Sequence, residues 1–232
     1  MKTGINMKLS NKKGVFLMGV VSFFVLLLLF YIEQPYKFIQ LTKSDSVIIR
    51  PIFTESAYSD KGFYDYFKKN CDESCLTTEI KELSRYETSK NGLDVFRTFN
   101  FNIIDDITVH ENPEILSKYK TVVLLHNEYV TQEEFDAITS HPHVIYLYPN
   151  ALYAKITYED NKITLIRGHN YPESSIRNGF DWKFENSPLE YDSICNDWKF
   201  YRIDNGYMLN CYPDTIIKKK TEILLAMVKL FK

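Results

Sequence analysis

The sequence predicts an α/β domain with a mostly parallel sheet, flanking helices and added β-hairpins, preceded by one transmembrane helix. Two apolar runs, 121–125 (TVVLL) and 144–148 (VIYLY), are typical of strands buried on both faces. Between them, residues 131–134 (TQEE) form a capping box that predicts the start of a helix. Strand, helix and strand joined by short links indicate parallel strands with helices on the faces of the sheet.

The N-terminal stretch 15–32 (VFLMGVVSFFVLLLLFYI) carries no charge and is nearly long enough to cross a bilayer. We therefore predict a cytoplasmic N-terminus (1–14), a transmembrane signal anchor (15–33), a juxtamembrane linker (34–45) and an extracytoplasmic α/β domain (46–232). A cleaved signal peptide is the alternative, but the run is long for one and lacks a small-x-small cleavage site. A buried core helix would need a polar face, which is absent.

The lysine distribution predicts the orientation of this anchor. Four lysines precede the span, whereas only Lys37 and Lys43 fall within the next 15 residues. The positive-inside rule then places the N-terminus in the cytoplasm and the domain outside the cell membrane. Four of the 28 basic residues precede the span, so 24 basic and 30 acidic residues follow it. A mildly acidic domain is a poor candidate for nucleic-acid binding. The partner that the apolar span predicts is the membrane.

The first half of the domain is predicted to supply several elements of the sheet and its helices. Residues 47–53 predict a strand, 62–70 a short aromatic helix, 76–80 a second strand and 93–99 the end of a helix. Residues 101–105 predict a further strand. Asn112 followed by Pro113 predicts the start of a short helix, because proline suits the first helical position.

The second half is predicted to add hairpins and a closing helix. Residues 152–158 and 162–167 alternate in polarity and predict one hairpin. Residues 198–203 and 207–211 predict another, with Asn205-Gly206 as its two-residue turn. Residues 218–232 predict a helix whose apolar face packs on the sheet.

Four cysteines, an even number, all follow the anchor, which suits an oxidising compartment. Of the three possible pairings we favour Cys71–Cys75 and Cys195–Cys211, because each is local in sequence. One helical turn would bring the Cα atoms of the first pair to about 6 Å. The predicted hairpin register places Phe200, not Cys195, opposite Cys211, so the chain before Trp198 must curl back to form the second bond.

Ligands of open parallel sheets bind beyond the carboxyl ends of the strands, and this rule selects three loops. Glu55 follows the first strand, residues 126–129 (HNEY) follow the central strand, and Asn150 follows the next. His126 and Glu128, two residues apart, could perform acid–base chemistry or hold a metal. Alternatively, both side chains bond to loop backbone and cap the next helix.

Three further residues complete the set of candidates. His169, after the first predicted hairpin, joins Glu55, His126 and Glu128 as a candidate catalytic residue, or lies in a solvated turn. Asn127 and Asn150 are candidate ligand-binding residues. The pair His141 and His143 flanks Pro142 and predicts a plain turn. No glycine-rich phosphate loop or common hydrolase motif occurs, so we expect no cofactor and no resident metal.

The stretch 118–138 (KYKTVVLLHNEYVTQEEFDAI) resembles the flavodoxin-like core of class I glutamine amidotransferase-like proteins, including the ThuA and dimethylformamidase-type branch. The shared pattern is a short helix, a strand, a His/Glu/Tyr loop and a capped helix. The resemblance implies a flavodoxin-like sheet over 103–151. Catalytic members carry a Gly-x-Cys-x-Gly elbow, whereas residues 148–151 here are YPNA, which argues against glutaminase activity. The whole chain also resembles uncharacterised archaeal membrane-anchored proteins.

These observations support three functional hypotheses. The first is a non-catalytic domain that binds a small ligand or a protein partner at the strand ends. The second is a hydrolase of an amide or related bond that uses His126 and Glu128, with Glu55 or His169. The third is a structural subunit of a membrane complex, in which Tyr36, Phe38 and Ile39 of the linker would contact a protein partner.

Overall fold

The computed structural model describes residues 21–25, 45–81, 88–184, 186–219 and 222–230. The chain divides into two compact units, Met1–Leu41 and Thr42–Lys232. In the first unit, residues 21–25 are helical. Within the described ranges no helix combines the length and apolarity needed to cross a membrane. The rest of the predicted anchor, 15–20 and 26–33, and linker residues 34–44 lie outside the described residues.

The second unit contains ten described strands and six described α-helices. The strands are β1 (Ser46–Arg50), β2 (Thr77–Glu79), β3 (Asn102–Asp105), β4 (Thr121–Leu124), β5 (Tyr129–Val130), β6 (Val144–Tyr146), β7 (Ala154–Glu159), β8 (Lys162–Arg167), β9 (Phe200–Ile203) and β10 (Gly206–Leu209). The helices are α1 (Ile52–Ala57), α2 (Phe63–Phe67), α3 (Lys90–Thr98), α4 (Asp106–Glu111), α5 (Gln132–Ser140) and α6 (Glu222–Leu230). Three 3₁₀ helices cover Glu73–Leu76, Pro113–Lys118 and Ser187–Tyr191.

The larger sheet has six strands in the order β3-β1-β4-β6-β10-β9. All neighbours pair in parallel except β9, which is antiparallel to β10 at one edge. Numbered along the chain, the five parallel strands lie in the order 2-1-3-4-5. The chain therefore leaves β1 first toward β3 on one side and later returns to β4 on the other. Crevices at such a reversal are the usual ligand sites of open α/β sheets.

A second sheet has the order β2-β8-β7-β5. Strands β2, β8 and β7 are antiparallel, and the two-residue strand β5 runs parallel to β7. Because β5 follows the loop after β4, this sheet adjoins the carboxyl ends of the parallel strands. The loop that follows β8 is thereby brought to the same end of the molecule.

Two groups of buried apolar side chains form much of the core in the described part of the chain. One group contains the inward residues of the parallel sheet, including Val47, Val122 and Val144, together with Val109 of α4 and Ile138 of α5. The other joins α1 and α2 to the second sheet through residues such as Phe53 and Phe63. Residues 121–124 are buried throughout, as expected for a strand covered on both faces. The predicted α/β class with a parallel sheet and flanking helices is therefore confirmed.

The structure differs from the prediction in one strand and in one additional helix. The first strand was predicted over 47–53 but ends at Arg50, and Ile52 and Phe53 belong to α1. Pro51 causes the change, because it has no N–H to donate to a neighbouring strand and suits a helix start. Helix α4 was not predicted; Asp105 caps it by accepting a hydrogen bond from the Thr108 amide at 2.8 Å.

The second hairpin forms, but its predicted register is wrong. Gly206 pairs with Ile203 and Leu209 with Phe200, so Asp204 and Asn205 make the turn. The side chain of Asn205 donates to the carbonyl oxygens of Ile138 at 3.0 Å and His141 at 3.2 Å. These bonds fix Asn205 against the end of α5 and shift the turn by one residue.

Both favoured disulfides are present. Cys71 and Cys75 have Cα atoms 6.0 Å apart, and Cys195 and Cys211 have Cα atoms 5.3 Å apart. None of the four cysteines is free. The predicted closing helix corresponds to α6, which buries Ile223, Leu224 and Met227. Thiol chemistry is thus excluded from the candidate activities of the domain, because no thiolate remains to act as a nucleophile.

Gly206 is the residue on which the pairing of β10 with β6 depends, and it provides a test of the fold. A Cβ at this position would lie 1.8 Å from the carbonyl oxygen of Val144. We predict that Gly206→Ala lowers the free energy of unfolding by about 1–3 kcal/mol, because the backbones must separate. Urea denaturation followed by far-UV circular dichroism measures this change.

The matched control is Asp204→Ala in the same turn. Asp204 pairs with Lys183 through side chains that are 69% and 67% exposed, so the loss is expected to stay within about 0.5 kcal/mol. Equal destabilisation by the two substitutions would contradict the close approach of β10 to β6.

Candidate functional site

The loop that follows β4 lies at the reversal point of the sheet and is fixed to the segment that follows β1. The Thr54 hydroxyl of α1 accepts hydrogen bonds from the backbone amides of Glu128 at 3.0 Å and Tyr129 at 3.1 Å. Within the loop, the Asn127 side chain accepts from the Leu125 amide at 3.0 Å. Buried backbone groups must find such partners, and these bonds set the direction of the Glu128 side chain.

The carboxylate of Glu128 is the centre of a buried polar cluster. Its Oε2 accepts a hydrogen bond from the Tyr58 hydroxyl at 2.7 Å and lies 3.4 Å from Nε2 of His126. Its Oε1 lies 3.6 Å from Nε2 of His169. Three of the four predicted catalytic candidates therefore converge on one carboxylate. We call His126, Glu128, His169 and Tyr58 the carboxylate cluster.

His169 connects this cluster to the surface. Its backbone adopts a left-handed conformation (φ 57°), and its amide donates to the Arg177 carbonyl at 2.8 Å. The imidazole stacks on the Phe67 ring with centroids 4.0 Å apart. Its side chain is 23% exposed, whereas those of His126 and Glu128 are 3% and 0% exposed. A non-glycine residue held in this region is often a functional position.

A pocket of about 320 Å³ opens beside His169. Its wall combines aromatic rings, amide and hydroxyl groups and one guanidinium group. The other lining residues are Tyr153, Asn170, Arg177, Ser187, Pro188 and Tyr191. The volume falls within the range of small-molecule sites, and the mixture of aromatic and polar groups suits a small polar ligand.

Burial determines the protonation of both imidazoles. It lowers the pKa of His126 to about 3 and also lowers the pKa of His169. Both rings are therefore neutral at pH 7, and each presents one donor and one acceptor nitrogen. Within the described part of the chain, neither nitrogen of His126 forms a hydrogen bond. Buried polar atoms are almost always hydrogen-bonded, so the His126 imidazole is a candidate functional group.

A pair of buried acids, Asp106 and Glu134, lies behind the loop. The Asp106 carboxylate accepts from the Phe53 amide at 2.9 Å and from the Asn127 side chain at 2.6 Å. Burial raises the pKa of Asp106 to about 7 and holds the pKa of the adjacent Glu134 well above its usual value. Two neighbouring carboxyl groups in an apolar interior cannot both be charged, so the pair retains a proton.

Glu55 and Asn127 lie in positions that give them structural roles. Arg50 donates to the Glu55 carboxylate at 2.7 and 3.4 Å, so this acid forms a buried ion pair next to α1. Asn127 is fully buried and links Leu125 to Asp106, which fixes the loop without facing the pocket. Asn150 is also buried and adopts a left-handed backbone (φ 64°) in the tight loop after β6.

Three participants were not predicted from the sequence as part of the site. Thr54 of α1 contacts the Glu128 amide, and Tyr58, the residue after α1, contacts the Glu128 carboxylate. Asp106 of α4 contacts Asn127. Thr54 alone carried a signal, because it follows the first strand at the sheet end where ligands bind. Across the described ranges, no three His, Cys, Asp or Glu residues are arranged to hold a metal ion.

No protein-family model matches the chain, and no curated protein sequence matches it. The geometry of the carboxylate cluster and its pocket therefore carries the functional conclusion.

The Asp106–Glu134 pair predicts an unusual pH dependence of stability. Both carboxyl groups titrate at higher pH in the folded protein than in the unfolded chain, where they titrate near about 4. Between about pH 4 and 7 the folded state binds more protons, so the free energy of unfolding falls as the pH rises. Asp106 alone is expected to contribute a loss of roughly 4 kcal/mol, at about 1.4 kcal/mol per pKa unit, and Glu134 acts in the same direction. Urea titrations at a series of pH values measure it.

Glu134→Gln is expected to flatten this profile and to stabilise the protein at pH 7, because the amide remains neutral. The control is Glu133→Gln, the adjacent position, whose side chain is 55% exposed. If Glu133→Gln flattened the profile as much as Glu134→Gln, the buried pair could not be its source.

Proposed function

We propose that the protein is a membrane-anchored, extracytoplasmic α/β domain that binds a small polar ligand at the carboxyl ends of its strands without transforming it. The pocket beside His169 holds the ligand. The carboxylate cluster behind it orients His169 and sets its hydrogen-bonding state.

The position of His169 is the observation that carries this proposal. It is the one member of the carboxylate cluster that also lines the pocket. Its ring is fixed on one side by Phe67 and faces Glu128 through Nε2. A rotamer locked by packing and by a buried acid is a preorganised binding group, which lowers the entropic cost of holding a ligand.

The depth of the other members favours binding over catalysis. His126 and Glu128 are 2% and 0% exposed, so a substrate in the pocket would contact His169 before reaching either. All four cysteines form disulfides, so none is available as a nucleophile. Arg177, Asn170 and Tyr153 supply a charge, an amide and an aromatic ring, which together recognise a polar ligand.

The fold supports the placement of the site. The strand order 2-1-3-4-5 is that of flavodoxin-like sheets, whose ligands bind between the first and third parallel strands. In this protein those strands are β1 and β4. This order agrees with the resemblance to class I glutamine amidotransferase-like proteins. At the position of that family's cysteine elbow the chain has Asn150 in a left-handed turn, which provides an amide in place of a nucleophile.

A hydrolase of an amide or related bond is the second candidate. The Glu128–His169 approach at 3.6 Å favours it, because a carboxylate that orients a partly exposed imidazole is the usual arrangement of a general base. In this alternative His169 would activate a water molecule for attack on a substrate in the pocket. Glu55, paired with Arg50, would take no direct part.

The binding proposal predicts a ligand that depends on His169. The full chain, extracted from its membrane in mild detergent, is expected to carry a small-molecule adduct in native mass spectrometry. His169→Asn should reduce its occupancy at least about tenfold, because one oriented hydrogen bond and a stacking surface are lost. The control is His110→Asn, whose side chain is 22% exposed and lies on α4 outside the pocket. Unchanged occupancy in His169→Asn would exclude this pocket.

The catalytic alternative is tested with chromogenic esters and anilides. If His169 is a general base, kcat/KM should fall by about a hundredfold or more in His169→Asn and in Glu128→Gln. Under the binding proposal the unmodified protein shows no turnover above the His169→Asn variant. Turnover that responds to both substitutions would replace the binding proposal by the hydrolase.

A further inference from the structure

A second pocket lies at the opposite end of the parallel sheet. It has a volume of about 460 Å³ and is formed where β4, β6 and β10 begin. Lys120 precedes β4, His143 precedes β6, and Arg202 of β9 pairs with Tyr207 of β10. Two charged side chains, Lys120 and Arg202, therefore line one cavity together with the imidazole of His143, whose pKa is lowered by burial.

The charge of this pocket is positive. Within the part of the chain that the structure describes, neither Lys120 nor Arg202 forms an ion pair or a side-chain hydrogen bond. Asp204 also lines the pocket, but its carboxylate is paired with Lys183 at 2.5 Å. Lys120 and Arg202 are left without a neutralising acid, which is the arrangement that attracts an anion.

The pocket lies next to the point where the chain enters the domain. The carbonyl oxygen of Asp45 accepts hydrogen bonds from the amides of Lys120 at 2.7 Å and Thr121 at 3.1 Å. Residue 45 is the last of the predicted linker. A linker of residues 34–45 spans at most about 40 Å when fully extended. The chain thus enters the domain within about 40 Å of chain length after the predicted span, at the residue that contacts Lys120.

We propose that this pocket binds the phosphate of an anionic phospholipid head group. Lys120 supplies a point charge, and Arg202 supplies a planar group that bonds phosphate oxygens in pairs. Tyr207 lines the same cavity and has a hydroxyl donor. The inference goes beyond the ligand site at His169, but it rests on the proposed membrane anchoring.

The test uses the full chain reconstituted into nanodiscs of phosphatidylcholine, with or without phosphatidylglycerol. A water-soluble amine-acylating reagent reports the accessibility of each lysine by peptide mass spectrometry. We expect phosphatidylglycerol to slow the modification of Lys120 about fivefold or more, the factor that one basic residue contributes at an anionic surface. Lys162 is exposed at the tip of the β7–β8 hairpin and should react equally in both discs.

Arg202→Glu should restore the reactivity of Lys120 in the anionic discs, whereas the charge-matched control Lys162→Glu should leave Lys120 protected. Equal loss of protection in both variants would show a general charge effect and overturn the pocket. Inorganic phosphate is added to the neutral discs as a competitor. If phosphate alone protects Lys120 to the same extent, the pocket binds a soluble anion and the lipid assignment is wrong.

Flotation separates this proposal from the anchoring on which it rests. A chain that floats with neutral vesicles but shows no protection of Lys120 in anionic discs overturns the lipid pocket alone. Flotation with anionic vesicles only would show that the N-terminal span does not anchor the chain, which overturns the anchoring proposal. If Arg202→Glu then abolishes flotation, the lipid pocket is supported independently of the anchor.

Discussion

The buried carboxyl group of Asp106 is the constraint on which the candidate site depends. It accepts hydrogen bonds from the first turn of α1 and from Asn127 in the loop after β4, and it lies beside Glu134 of α5. The Asp106 carboxyl group thus connects α1, the loop after β4 and α5, which are distant from one another in sequence. Removing such a group would leave buried donors without partners, which costs more than the net gain of forming each bond.

The same junction explains why the site is polar and yet almost closed. Asn127, held by Asp106, fixes the loop so that the Glu128 amide meets Thr54 and its carboxylate meets Tyr58. The carboxylate then lies within 3.6 Å of two imidazoles whose pKa values are lowered by burial. Neutral imidazoles around an acid can exchange hydrogen-bond roles with a ligand without moving a net charge through the interior.

The sequence predicted what depends on local patterns. The buried strand at 121–124, the Thr131 cap of α5 and the two local disulfides follow from apolar runs, capping chemistry and cysteine spacing. The rule that ligands bind at strand ends selected His126 and Glu128, and His169 was selected separately because it follows the first predicted hairpin. Their convergence could not be predicted, because His169 reaches Glu128 only through the parallel pairing of β5 with β7. No local sequence pattern marks Tyr58 or Asp106 as part of the site. Glu55 does not join the cluster because its carboxylate pairs with Arg50, five residues earlier.

The polarity of a parallel sheet links the two proposed sites. All five parallel strands begin at the end where Asp45 contacts Lys120, and all end toward the loops that carry His126 and Asn150. The two proposed pockets therefore lie at opposite ends of the same parallel sheet. Lys120 and Arg202, where the parallel strands begin, suit an anion. The pocket where the strands end combines the Arg177 guanidinium with aromatic and amide groups and suits a small polar ligand.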